Sequence, residues 1–169
     1  QKLWIVDPVA PWLPARNFLK RLGQAPKHQL ADPALAVRIM GLDSEALLSG
    51  EEVDTPITRD KTLLGVLFES LVTLCVRVYA QAAEANVYHL RFHGGSREID
   101  LIVERGDGKV LAMEVKLSRT VDDEDVKHLQ WIRGELGDDL LDAVVVNTGP
   151  NAYRRPDGIA VVPAALLGV

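Results

Sequence analysis

Three strand-like runs lie close together in the middle of the chain: Val87 to Phe92, Arg97 to Glu104 and Val110 to Leu117. The turn-forming stretches His93-Gly94-Gly95-Ser96 and Arg105-Gly106-Asp107-Gly108-Lys109 separate them, so a meander of antiparallel strands is the expected local fold. In the second hairpin the odd positions Ile99 to Val103 and Leu111 to Leu117 are apolar, while the even ones include Glu98, Asp100, Glu104, Glu114 and Lys116. Strand side chains alternate, so one hairpin face is expected to be core and the other to gather charge.

A turn centred on Asp107 sets Asp100 opposite Glu114 and Glu98 opposite Lys116. Two carboxylates with Cβ atoms about 5 Å apart repel and weaken a hairpin unless a positive group lies between them. A divalent cation, Mg²⁺ or Mn²⁺, answers that need, since two carboxylates, a backbone carbonyl and water suit it, with a substrate phosphate completing the octahedron. Lys116 would project beside the ion, where an ammonium can hold a phosphate oxygen or orient an attacking water. Metal-assisted phosphodiester hydrolysis is the reaction that uses all three groups. The bland alternative is a solvated hairpin face with a Glu98–Lys116 ion pair.

The elements around the meander are legible too. Thr62 to about Ala83 has the longest helical pattern, with Leu63, Leu67, Leu71, Leu74 and Val78 on one face and Phe68, Val72, Cys75 and Tyr79 on another. Asp122 and Asp123 supply acceptors for a helix start, Val126, Leu129, Ile132 and Leu136 mark its buried side, and Gly137 ends it. The apolar strand from Ala143 then completes a β-α-β unit with parallel strands, and Ile159 to Val162 is a last strand after an exposed Arg154 to Gly158 loop. Upstream, residues 2–6 read as the end of a strand, after which Pro8, Pro11 and Pro14 are expected to forbid regular structure until about Ala15. Short helices are expected at 15–22 and 33–41, the latter with Asp32 as cap and Pro33 in its first turn, and 43–60 reads as a surface loop.

Composition narrows the class. With 169 residues, 47% hydrophobic and 25% charged, the chain can bury roughly 70% of its unfolded surface and needs no staple. Cys75 is the sole cysteine, so an internal disulfide and a cysteine-based zinc site are out, and a cytoplasmic location is expected. The richest apolar stretch, Leu63 to Tyr79, is broken by Glu69 and Arg77, so no membrane span is expected. The net charge of −5 does not favour whole-molecule attraction to nucleic acid, yet the segment between Asp7 and Asp32 has no acid and carries Arg16, Lys20, Arg21 and Lys27. Those charges either touch phosphates or solvate a linker. The Gln1 start, without Met or signal features, reads as a segment of a longer polypeptide. No G-x-x-x-x-G-K-[ST] occurs, so no P-loop ATP site lies within the chain.

Asp100 and Glu114-Val115-Lys116 in a hairpin, after a helix bearing Glu69 and before a helix and parallel strand, resemble the PD-(D/E)XK nuclease superfamily over about residues 62–162. The chain also resembles the C-terminal domain of many prokaryotic AAA+ ATPases. That likeness rests on Pro26 to Pro33, Gly65 to Glu69, Arg97-Glu98-Ile99-Asp100 and Glu114 to Lys116. The resemblance implies an α/β, restriction-endonuclease-like core over 61–169 and an N-terminal extension and linker, 1–60, from an upstream winged-helix region. It implies metal ligands at Asp100 and Glu114, a catalytic lysine at Lys116, an auxiliary acid at Glu69 and a polar site residue at Gln130. It further implies an AAA+ module in the same polypeptide, oligomerisation through that module, and DNA as substrate. A module of the same fold that binds DNA or a protein partner and regulates the ATPase remains the alternative, and assembly through apolar residues near Trp4 and Trp12 is a third.

Overall fold

The computed structural model describes residues 5–13, 25–49, 62–92 and 96–168. The expected helix at 15–22, Arg16, Lys20, Arg21, Trp4, most of the 43–60 loop and the Gly94-Gly95 turn lie outside them. The protein is mixed α/β, built on a single eight-stranded sheet among the described residues. In chain order come β1 (Val6–Pro11), β2 (Lys27–Leu30), α1 (Pro33–Ile39), α2 (Ser44–Ser49), α3 (Leu63–Ala82) and β3 (Asn86–Arg91). Then follow β4 (Glu98–Glu104), β5 (Val110–Val115), α4 (Asp123–Leu136), β6 (Leu140–Asn147), β7 (Tyr153–Arg154) and β8 (Ala160–Pro163). Across the sheet the order is β2-β1-β3-β4-β5-β6-β8-β7.

The meander forms as expected, with β3–β4 and β4–β5 antiparallel, and the β-α-β unit places β6 parallel to β5. Leu101 pairs with Met113 and Glu104 with Val110, the register implied by a turn centred on Asp107. The expectation of a polar hairpin face is corrected. Both faces of the sheet are covered, because a β-α-β crossover lays a helix on one side while α3 occupies the other. Ile102, Val110, Ala112 and Val145 pack with Val126, Leu129 and Ile132 of α4. Leu101, Met113, Val115 and Val146 pack with Val72 and Val76 of α3. A register shift between β3 and β4 pairs Tyr88 with Ile102 but Leu90 with Ile99, and so sets Ile99 and Ile102 in one cluster. Glu98, Asp100 and Glu114 gather at one end of β4 and β5, while Glu104 lies at the turn end of β4.

The N-terminal region is also strand where irregular chain was expected. β1 contains Pro8 and Pro11, which is tolerated because β1 pairs with β2 over Val6–Val9 and with β3 only over Ala10–Pro11. Trp12, expected near an exposed patch, is core instead, with its Nε1 donating to Glu104 Oε1 at 3.3 Å. A helix, α2, occupies part of the expected 43–60 loop. The Arg154 to Gly158 segment is pinned as a turn between β7 and β8. Arg154 pairs with Asp142, while Arg155 reaches Asp123, Asp157 Oδ2 at 3.1 Å and the Val121 carbonyl.

By length and composition α3 could cross a membrane. Here it lies on the sheet, with Val72, Val76 and Ala80 buried, while Leu63, Leu71 and Val78 of the expected leucine face are exposed. Glu69 and Arg77, the charges that interrupt it, are paired with Lys27 and Asp7. Helix α4 is fixed at its start by a reciprocal capping box, in which Asp122 Oδ1 accepts from Asp125 N and Asp125 Oδ2 accepts from Asp122 N. Replacing Asp122 with alanine is expected to cost about 1 kcal/mol, read as a lower urea midpoint with unchanged m-value.

Candidate functional site

The charged ends of β4 and β5 open into a cleft of about 400 Å³, lined by Lys27, Gly65, Glu69, Glu98, Asp100, Glu114, Lys116 and His128 among others. Each element contributes for a local reason. Thr62 caps α3 through its Oγ1 on Gly65 N at 3.2 Å, fixing the helix turn from which Glu69 is presented one turn later. The β4–β5 register, continued one step beyond Leu101–Met113, sets Asp100 opposite Glu114. There the two backbones no longer exchange ladder bonds, and Asp100 Oδ2 accepts from Val115 N at 3.0 Å. Asp100 is thereby locked as an acceptor at the strand ends.

The other Asp100 oxygen, Oδ1, lies 2.9 Å from Lys27 Nζ. That ammonium also lies 2.7 Å from Glu69 Oε1 and 3.3 Å from Glu98 Oε1. Burial alone would push the lysine pKa down, but Asp100 and Glu69 more than reverse this, and it is held well above the usual lysine value of 10.5. Burial likewise opposes ionisation of Asp100, yet Lys27 and the Val115 N–H hold its carboxyl below 3.8. Glu114 shows the opposite balance. It is only 6% exposed, its Oε1 has no hydrogen-bond partner, and burial together with the Asp100 charge raises its pKa well above 4.5. Two neighbouring carboxyls with pKa values driven apart are an arrangement suited to proton handling or cation binding.

His128 of α4 completes the wall. Its Nδ1 lies 2.7 Å from the Glu98 carbonyl oxygen and 3.9 Å from Glu114 Oε1. The short approach to a carbonyl assigns the proton to Nδ1. Lys116, just past the end of β5, reaches Asp125 Oδ1 at 3.9 Å, while Glu98, its cross-strand partner in the bland alternative, is shared between Lys27 and Arg91. Asp100 and Glu114 are the groups that could hold a cation. Among the described residues no three His, Cys, Asp or Glu side chains form a metal-holding group, so carbonyl oxygens, water or a substrate phosphate would have to supply the remaining donors.

With this geometry in hand, comparison with known proteins places the chain. The model of a family described as a domain of unknown function, DUF4143, matches residues 64–167, more than half of the chain. The chain belongs to the DUF4143 family. Domains of this family are often found with AAA+ ATPases. No curated protein gives a significant match to this DUF4143 domain. A chain in the structure described as a refined half-complex from a tetradecameric assembly of Thermococcus gammatolerans McrB AAA+ hexamers with bound McrC is similar to it. Identity is 13% and the TM-score 0.37, over 86% of this chain and 41% of that one.

Of the residues singled out in the sequence, Asp100, Glu114, Lys116 and Glu69 line this cleft of the DUF4143 domain. Gln130 does not. Its amide donates to Asp157 Oδ2 at 3.0 Å, toward the β7–β8 turn. Lys27 and His128 were not recognised as site residues. Lys27 belongs to the Pro26 to Pro33 segment that carries the family resemblance, and to the basic charges expected either to touch phosphates or to solvate a linker. It is instead largely buried among Glu69, Glu98 and Asp100.

Proposed function

We propose that this DUF4143 domain is a nuclease-like module that works with an AAA+ ATPase in the same polypeptide and hydrolyses DNA phosphodiesters. The supporting observation is the convergence of Asp100, Glu114, Lys116 and Glu69 on one cleft, with a buried Glu114 oxygen that no protein group satisfies. That orphaned oxygen beside Asp100 fits a hard divalent cation, which takes one or two carboxylates and keeps several waters. Asp100 and Glu114 would hold Mg²⁺ or Mn²⁺, which would supply Lewis-acid activation of a phosphate and its attacking water.

The chain's own residues contribute orientation and charge. Lys116 is placed to hold a phosphate oxygen, and Asp125 at 3.9 Å keeps its ammonium directed from the α4 side. Glu69 closes the opposite wall. His128, with its proton on Nδ1 engaged by the Glu98 carbonyl, fixes the β4 end against α4 beside Glu114.

The test is cleavage of single- and double-stranded DNA by the chain with Mn²⁺ present. Cleavage that is lost in Asp100→Asn and in Lys116→Met is the expected result. Binding of DNA without any metal-dependent cleavage would replace this reading with the second one, a nuclease-fold module that docks DNA or a protein partner and regulates the ATPase. What favours the second reading is that Lys27 already pairs with three of the cleft's carboxylates, Glu69, Glu98 and Asp100.

A further inference from the structure

Lys27 stands in the cleft as a cation does. Its three N–H donors meet three carboxylate oxygens at 2.7, 2.9 and 3.3 Å, from Glu69, Asp100 and Glu98. An ammonium has no further donor to give, so its hydrogen-bonding capacity is filled by these acids. The acids and the lysine come from different parts of the fold. Glu69 belongs to α3, and Glu98 and Asp100 belong to β4 in the middle of the sheet, whereas Lys27 rides on β2, a four-residue strand at the sheet edge paired only with β1.

β2 is latched to α3 by its own polar contacts. Gln29, two residues along and so on the same strand face as Lys27, donates to Glu69 Oε1 at 2.6 Å and accepts from Ser70 Oγ at 2.9 Å. Leu30 N also donates to Ser70 Oγ at 3.3 Å. The latch and the ammonium therefore converge on one stretch of α3, and the strand delivers its cation as a docked unit.

We propose that Lys27 is a built-in cation of this cleft that a divalent ion must displace, so that the seating of β2 sets the metal affinity of the site. The proposal rests on the reading of Asp100 and Glu114 as metal ligands. With Lys27 seated, an ion near Asp100 meets a positive charge on the same carboxylate. With Lys27 withdrawn, Glu69, Glu98, Asp100 and Glu114 face the cleft, with Lys116 drawn toward Asp125, and the negative charge left behind favours a divalent ion. A like charge at this range, even at an effective dielectric of about 20, weakens binding by well over tenfold.

The test compares Mn²⁺ binding by calorimetry in the unmodified chain and in Lys27→Met, which keeps length and removes charge. Lys27→Met is expected to bind at least about tenfold more tightly. Equal or weaker binding overturns the proposal. Should Lys27→Met fail to fold, lysine acylation of the unmodified chain read by mass spectrometry decides the matter. Lys27 is expected to react slowly beside the exposed Lys127 and to speed up several-fold at saturating Mn²⁺, and a rate unmoved by Mn²⁺ overturns the proposal. The two readings separate in the same samples. Tighter Mn²⁺ binding by Lys27→Met with no DNA cleavage by either protein supports displacement and counts against hydrolysis. Cleavage by the unmodified chain, with equal Mn²⁺ affinity in the two proteins, counts against displacement alone.

Discussion

In metal-free buffer at neutral pH, Lys27→Met is expected to lose about 3–5 kcal/mol of stability, the scale for removing one partner of a buried ion cluster. Lys27 is largely buried, and the substitution leaves Glu69, Glu98 and Asp100 together without the ammonium they share. The sign with pH follows from the shifts. Lys27 has its pKa raised above 10.5, so its stabilising contribution is fully present below 10.5 and is lost only as pH rises through the raised value. Asp100 is held below 3.8, so the pair persists until pH falls through that lowered value. The deficit of the variant should therefore be flat across the neutral range and shrink in strong acid, where Asp100 protonates, and in strong alkali, where Lys27 loses its charge. Urea unfolding monitored by circular dichroism measures it. A midpoint within error of the unmodified chain would mean that Lys27 is not seated among these acids in solution.

The divided legibility of the site has a physical cause. Asp100 and Glu114 were readable because a hairpin register is local: a turn at Asp107 fixes every pair along the two strands, and the observed Leu101–Met113 and Glu104–Val110 pairs obey it. The caps of α1 and α4 were readable for the same reason, since Asp32 and Asp122 act within three residues of themselves. Lys27 meets Asp100 from 73 residues away, and nothing in spacing encodes such a contact. β2 is four residues long and β1 contains two prolines, so neither shows a strand pattern, and their place in the sheet is set by pairing with each other and with β3. The exchange of Gln130 for His128 is a matter of helical phase. With Val126, Leu129 and Ile132 buried, residues 128 and 130 flank the buried stripe on opposite sides, about 100° to either side of Leu129. Which flank overlooks the cleft depends on the direction in which α4 crosses the sheet, and that is a tertiary fact. The second face of the hairpin is covered because α4 lies on Ile102, Val110 and Ala112, a tertiary contact that alternation within the hairpin does not encode.

These particulars bear on how one short strand and one pair of acids divide the work of the cleft. β2 stabilises the cluster of Glu69, Glu98 and Asp100, and Glu114 is left with a buried oxygen, Oε1, that the fold does not satisfy. A group kept at a cost to stability marks a place where function outranks packing. If so, relieving it should stabilise the protein, which is a sharper demand than loss on mutation.

Glu114→Gln is accordingly expected to stabilise the metal-free chain by about 1–3 kcal/mol under mildly alkaline conditions, the range found when a poorly compensated buried charge is removed. In the folded protein Glu114 has a pKa raised above 4.5 by burial and by Asp100, so between 4.5 and that raised value the folded state holds more protons than the unfolded state. Stability then falls as pH rises through this window, and the glutamine variant lacks that fall. His89 acts in the other direction, since burial and the nearby Lys27 lower its pKa below 6.5 and stability rises with pH up to that value. Because His89 is common to both proteins, the difference between their urea stabilities isolates Glu114. That difference should be smallest near 4.5 and below, grow with pH in favour of the variant, and level off once the folded-state carboxyl has ionised. A chelator must be present throughout, since a bound cation would satisfy the carboxylate and erase the gain. Two parallel profiles, with no growth of the difference across the window, would show that Glu114 ionises in the folded protein as easily as in the unfolded chain, and would remove the strained carboxyl from the account of the cleft.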